Sequence, residues 1–141
     1  MKTFQAIFIV LVAMIASCSA PAEMKTPAQE LEGVWKMTYG IFTYPDTVIE
    51  VTDSRSVKIL VGGRFAFGNQ DTDSTLTAGG GTYEYDGQTY TENIKYFTVP
   101  SLVGQSVKFD IRLEESKWFH SGTIPGDDGD LKLEEVWERV E

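Results

Sequence analysis

The chain has 141 residues, with 12 Lys+Arg against 21 Asp+Glu, one His and one Cys. That length supports a single domain, and a formal charge of −9 argues against nucleic acid, whose phosphate backbone is met by clustered Lys and Arg. One cysteine excludes an internal disulfide framework and a multi-thiolate metal site, and one histidine excludes an HExxH zinc helix.

At the N-terminus, Lys2 precedes an unbroken apolar run of eleven residues, Ala6 to Ala16. A membrane span needs roughly 20 apolar residues, so the run reads as the core of a signal peptide. Ile15-Ala16-Ser17-Cys18 follows. It resembles a bacterial lipobox, in which an apolar residue and two small ones precede a cysteine that is acylated and becomes the mature N-terminus. The alternative is an ordinary signal cut after Ala20. The lipobox reading makes 1–17 a lipoprotein signal peptide, 18–30 a lipidated Cys18 with a flexible tether, and 31–141 the folded domain. It implies a membrane held through the lipid anchor, in the cell envelope. Ser19 after the cysteine resembles the pattern sorted to the outer membrane, with a secreted or periplasmic protein as the alternative.

Thr26-Pro27-Ala28-Gln29 has the spacing of a capping box with Pro at the first helical position, and Gly33 closes that short turn. Beyond it Thr, Val and aromatic residues are frequent and Ala is sparse, which favours strands over helices. Turn signals recur about every 8–12 residues, the spacing of a sandwich or barrel. The predicted strands are 34–43, 55–61, 64–69, 80–85, 88–97, 106–113, 116–123 and 131–140, with a further short one at 47–52. Connections of hairpin length make this an all-β, up-and-down antiparallel barrel of eight to ten strands, since closure removes exposed edges. An open sandwich is the competing architecture.

Hairpins assign faces. A two-residue turn at Asp86-Gly87 pairs Tyr85 with Gln88, Tyr83 with Tyr90 and Gly81 with Glu92. Cross-strand partners share a face, so Tyr83, Tyr85, Tyr90, Glu92, Ile94 and Tyr96 point to one side. A turn at Glu114-Glu115 sets Ile111 opposite Trp118 and Phe109 opposite His120, which points Trp118 and His120 inward. A two-residue turn at Gly62-Gly63 pairs Lys58 with Phe67 and Ile59 with Ala66. That mixes the faces, so no side is assigned to this pair.

Gly33-Val34-Trp35-Lys36 resembles the Gly-x-Trp opening of lipocalins and fatty-acid-binding proteins, and Glu135-Val136-Trp137-Glu138-Arg139-Val140 resembles the closing strand of the latter. Together with Gly79-Gly80-Gly81-Thr82-Tyr83, Tyr90-Thr91-Glu92 and Trp118-Phe119-His120-Ser121-Gly122, these resemble a family of small lipocalin-like domains. Such domains occur in lipoproteins and secreted proteins of Bacteroides-type bacteria and have no established activity. The resemblance covers about residues 31–140 and implies that Trp35 packs beneath Arg139 to close the barrel, a structural pair. Fatty-acid-binding proteins place an Arg two residues before the last strand's aromatic. Here that position is Glu135, which would repel a fatty-acid carboxylate.

Glu92, His120 and Glu135 are thus three polar groups expected in an aromatic interior. Unpaired burial is costly, so they pair or shift their pKa values. Three readings stay open: a core network that satisfies itself, a polar anchor in a small ligand cavity, or a divalent-metal site. The anchor reading takes Tyr83, Tyr90, Glu92, Trp118, His120 and Glu135 as ligand-binding residues. With two carboxylates and no inward Lys, it selects a small apolar ligand carrying donors or positive charge.

The loop acids Asp127, Asp128 and Asp130, and Asp71 with Asp73, lack the twelve-residue calcium loop. Gly79-Gly80-Gly81 lacks the context of a phosphate loop and reads as a sharp bend in a strand. There is no Gly-x-Ser-x-Gly elbow. No enzyme, catalytic residue, metal or cofactor is therefore expected, with acid–base work by Glu92 and Glu135 the remote alternative. The leading function is an envelope lipoprotein that binds a ligand inside the barrel. The alternative is an interaction module with a filled barrel, whose loops contact envelope partners of unknown identity.

Overall fold

The computed structural model describes residues 24–70 and 75–140. The signal-like run, Cys18 and the first part of the tether lie outside them, as do Asp71 and Asp73.

A four-residue helix, α1 (Pro27–Glu30), precedes nine strands. These are β1 (Gly33–Thr43), β2 (Val48–Val51), β3 (Val57–Val61), β4 (Arg64–Gln70), β5 (Leu76–Tyr85), β6 (Thr89–Phe97), β7 (Ser106–Glu114), β8 (Lys117–Ile124) and β9 (Leu131–Arg139). The expected helical turn is present with its capping box: Gln29 N–H donates to Thr26 Oγ1 and Thr26 N–H to Gln29 Oε1. Strand β5 begins at Leu76, four residues before the expected start at 80.

All pairings are antiparallel between neighbours, and β1 pairs with β9 from Trp35↔Arg139 to Thr43↔Lys132. The sheet is one closed barrel, not a sandwich. Strands β2 and β3 share one edge of β1, β3 along Gly33–Lys36 and β2 along Gly40–Thr43, so they fill one of eight positions around the wall.

Three registers differ from the expected ones. Tyr85 pairs with Tyr90, and Tyr83 with Glu92, because Asp86 Oδ1 accepts from the Gln88 and Thr89 amides and builds a four-residue loop. The offset is two residues, so the faces survive. The turn after β7 is Glu115-Ser116, with Glu115 at φ 51°, which sets Ile111 opposite His120 and Phe109 opposite Gly122. Trp118 and His120 still point inward. In β6 a bulge at Lys95 carries the pairing from Gly81↔Ile94 to Gly80↔Tyr96. A bulge residue reverses the faces beyond it. Tyr96 is therefore 58% exposed, correcting its expected inward side, and Phe97 packs against the core instead.

Glycine run 79–81 fits this geometry. A Cβ on Gly81 would strike Asn93 O within the bulge, and one on Gly80 would meet the Tyr96 hydroxyl and Phe65 O.

One end of the barrel is closed. Trp35 and Leu31 are fully buried there, Trp35 Nε1 donates to Leu31 O at 2.8 Å, and Tyr83 Oη donates to Ala28 O at 2.9 Å. Arg139 stacks over Trp35, 4.1 Å from the ring centroid, and its guanidinium donates to Glu30 O and Glu32 O. The expected Trp35–Arg139 pair is thus formed, and Arg139 also ties the carbonyl end of α1 to the last strand.

Candidate functional site

The Gly62-Gly63 turn has two residues, both glycines at positive φ, and pairs Lys58 with Phe67 as its spacing implies. Leu60, Phe65 and Phe67 face the interior, and strand alternation carries Lys58 with them. Lys58 is 4% exposed. The expectation of no inward Lys is wrong: the turn register holds the signal, but a lysine on an apolar face leaves the side unassigned.

A partner explains the burial. Lys58 Nζ lies 2.7 Å from Glu92 Oε1, and Tyr90 Oη donates to the same oxygen at 2.9 Å. The ammonium also sits 5.2 Å from the Trp118 and Trp137 ring centroids and 5.5 Å from that of Tyr90, within cation–π range. Burial, and then the Glu92 carboxylate beside it, raise the Tyr90 pKa well above its ordinary value, so the hydroxyl remains a donor.

His120 and Glu135 face each other directly across β8 and β9. His120 Nδ1 is 2.8 Å from Glu135 Oε2, which also accepts from Trp137 Nε1 at 2.9 Å. Burial lowers the His120 pKa, with help from the Lys58 charge, and the bond to Glu135 only partly opposes this. Burial works against the Glu135 carboxylate, but the His120 hydrogen bond, with the Lys58 charge and the Trp137 hydrogen bond, outweighs it and holds its pKa below the ordinary value. A neutral imidazole beside an ionised carboxylate carries its proton on Nδ1, leaving Nε2 as a lone-pair acceptor. Two buried side-chain atoms have no hydrogen-bond partner among the described residues: His120 Nε2 and the indole donor Trp118 Nε1.

These groups form the floor of a cavity of about 230 Å³. Its wall is largely apolar, with Phe42, Phe97 and Leu131 toward the end away from α1 and Ile94, Val107 and Leu133 deeper in. Of the residues expected to contact a ligand, Glu92, His120 and Glu135 line this cavity, joined by Lys58 and Trp137. Tyr83, Tyr90 and Trp118 instead build the aromatic layer between the cavity and the closed end. Trp118 packs edge-on to Trp35 and Tyr90 at 5.5 and 5.2 Å, while Tyr83 spends its hydroxyl on α1. No group of three His, Cys, Asp or Glu among the described residues is arranged to hold a metal ion.

Over residues 30–141 the sequence matches the family described as "Domain of unknown function (DUF4488)". No curated protein matches it. Among solved structures, similar ones include a lipocalin-like protein from Bacteroides uniformis, at 16% identity and a TM-score of 0.49, with 78% of this chain and 98% of that one covered. Another is an uncharacterized protein from Bacteroides eggerthii, at 13% identity and a TM-score of 0.47, with coverage of 77% and 98%.

Proposed function

The chain belongs to the DUF4488 family, and we propose from the make-up of its interior that it binds a small, mainly apolar ligand inside the barrel. One observation carries this reading: the 230 Å³ cavity has a largely apolar wall and ends on the buried side chains of Lys58, Glu92 and His120 with the largely buried Glu135 beside them. Apolar pockets with a few convergent polar groups are the ordinary form of a small-molecule site. At about 30 Å³ per water-sized group, the space encloses about eight non-hydrogen atoms. A sterol or a long acyl chain would have to project through the open end.

The polar floor differs from a fatty-acid site in charge. Lys58 is already engaged by Glu92, and Glu135 adds a second carboxylate. The proposed setting is the cell envelope, with Cys18 as the lipidated residue; the Ile15-Ala16-Ser17-Cys18 sequence supports it.

Native mass spectrometry of the protein purified from its own host tests the binding reading. A retained small organic molecule that is lost from a Val107→Trp variant, whose indole fills the cavity, is the expected result. A bare protein whose thermal stability responds to no small amphiphile would overturn it.

A further inference from the structure

The cavity floor specifies the end group of the molecule it takes. We infer that the ligand carries a neutral hydroxyl, which donates to His120 Nε2, and carries neither a carboxylate nor an ammonium at that end. This deepens the binding reading above and rests on it.

Three observations converge on this group. First, His120 lines the cavity, is 3% exposed, and its Nε2 is a fully buried atom with no partner among the described residues, which a ligand reaches as the ring shifts toward the cavity. A buried acceptor left unmatched costs free energy comparable to the desolvation of the group, so a ligand that supplies a donor recovers it. Second, the tautomer is fixed. Glu135 Oε2 accepts the hydrogen bond from Nδ1–H and is itself held by Trp137 Nε1, and burial favours the neutral ring, so Nε2 presents a lone pair and not an N–H. An acceptor-only group, such as an ether or a ketone, finds no complement there.

Third, the floor holds charges of both signs. Lys58 stands among aromatic rings at 5.2–6.0 Å, so a ligand ammonium would meet its like charge, while the carboxylates that could attract it are already engaged, Glu92 by Lys58 and Tyr90 and Glu135 by His120 and Trp137. A ligand carboxylate would meet Glu92 and Glu135. Either charged group would also lose its hydration on entry. A neutral hydroxyl meets no like charge and supplies the donor that Nε2 lacks.

The chain has a single histidine, so selective ¹⁵N-histidine labelling reports one imidazole with no assignment ambiguity. Full-length protein at pH 7 is titrated with four probes that share one ring and fit the cavity: toluene, benzyl alcohol, benzoate and benzylamine. Affinities come from calorimetry, and the state of Nε2 from its nitrogen chemical shift. Benzyl alcohol is expected to bind roughly three- to tenfold more tightly than toluene, the gain of one neutral hydrogen bond. Both charged probes should bind more weakly than the alcohol. Nε2 should move upfield with benzyl alcohol, as a lone pair does on accepting a hydrogen bond, and stay in place with toluene. Equal binding of toluene and the alcohol with an unmoved Nε2 would overturn the hydroxyl while leaving the cavity reading intact. Tightest binding of benzoate or benzylamine would overturn the charge argument in the same way. Failure of all four to bind would remove the cavity reading itself, and this inference with it.

Discussion

Lys58 and Glu92, 34 residues apart in sequence, meet at 2.7 Å inside the barrel with both side chains almost fully buried. Their pairing turns an interior lysine from a defect into part of a polar floor. Buried ion pairs lose much of their Coulombic gain to desolvation, whereas removing one partner leaves the other charged and unpaired. Glu92→Leu alone should therefore destabilise the fold by about 3–5 kcal/mol, and Lys58→Met alone by a similar amount. The double variant should lie well above either single one. Urea unfolding of the four proteins reads this directly. Equal losses that simply add would mean that the two groups are not coupled.

The closed end gives a second expectation. Arg139 combines a stack on Trp35 with hydrogen bonds to two carbonyls near α1. Arg139→Ala should cost roughly 2–4 kcal/mol, from a cation–π contact and charge-assisted hydrogen bonds. Lys in its place should restore only part, because it lacks the planar fork. Hydrogen exchange should quicken at the α1 and Glu32 amides and stay slow in β7 and β8. Uniform protection in Arg139→Ala would show that the clamp is dispensable.

Acid should weaken the protein from near-neutral pH downward. The folded-state pKa of His120 lies below the ordinary 6.5, chiefly through burial, so the unfolded chain binds that proton more readily. Its contribution is complete above about pH 6.5 and is lost as the pH falls through the folded-state value. Glu135, also depressed, adds a second loss as the pH falls from its ordinary value of 4.5. The groups that set this response are Glu135 on β9, Lys58 on β3 and Glu92 on β6. An NMR titration of the single imidazole should give a midpoint below 6.5. A midpoint above it would mean that the Glu135 contact outweighs burial.

Two glycines separate backbone need from chance. Gly81→Ala would drive a Cβ into Asn93 O and should cost more than about 2 kcal/mol, whereas a Cβ on Gly68 would meet no atom within 4 Å. Gly68→Ala should stay within about 1 kcal/mol of the parent, of either sign. Similar melting temperatures for the two variants would contradict the bulge geometry.

Much of this fold is legible in the sequence because strand parity is robust. Turn signals misplace the Asp86-Gly87 and Glu114-Glu115 hairpins by offsets that leave the faces unchanged, so Tyr90, Glu92, Trp118 and His120 still read as inward. Alternation misplaces Tyr96, because the bulge at Lys95 shifts the parity of the strand opposite a glycine run whose backbone leaves no room for a Cβ. Lys58 escapes for another reason. Its turn gives the right pairing, but only a partner on a distant strand makes an inward lysine tolerable, and no local pattern records that partner. The aromatic layer of Tyr83, Tyr90 and Trp118 cannot be told from the cavity wall by sequence, since both lie on the same face and differ only in height along the barrel.

Amide chemical-shift mapping of the full chain during a toluene titration tests ligand entry into the barrel most directly. Saturable changes centred on Ile94, Val107 and Leu133, which line the cavity, are expected, and they should disappear in Val107→Trp. Changes confined to the exposed outer residues Val57, Ile59 and Leu76, or none at all, would contradict it.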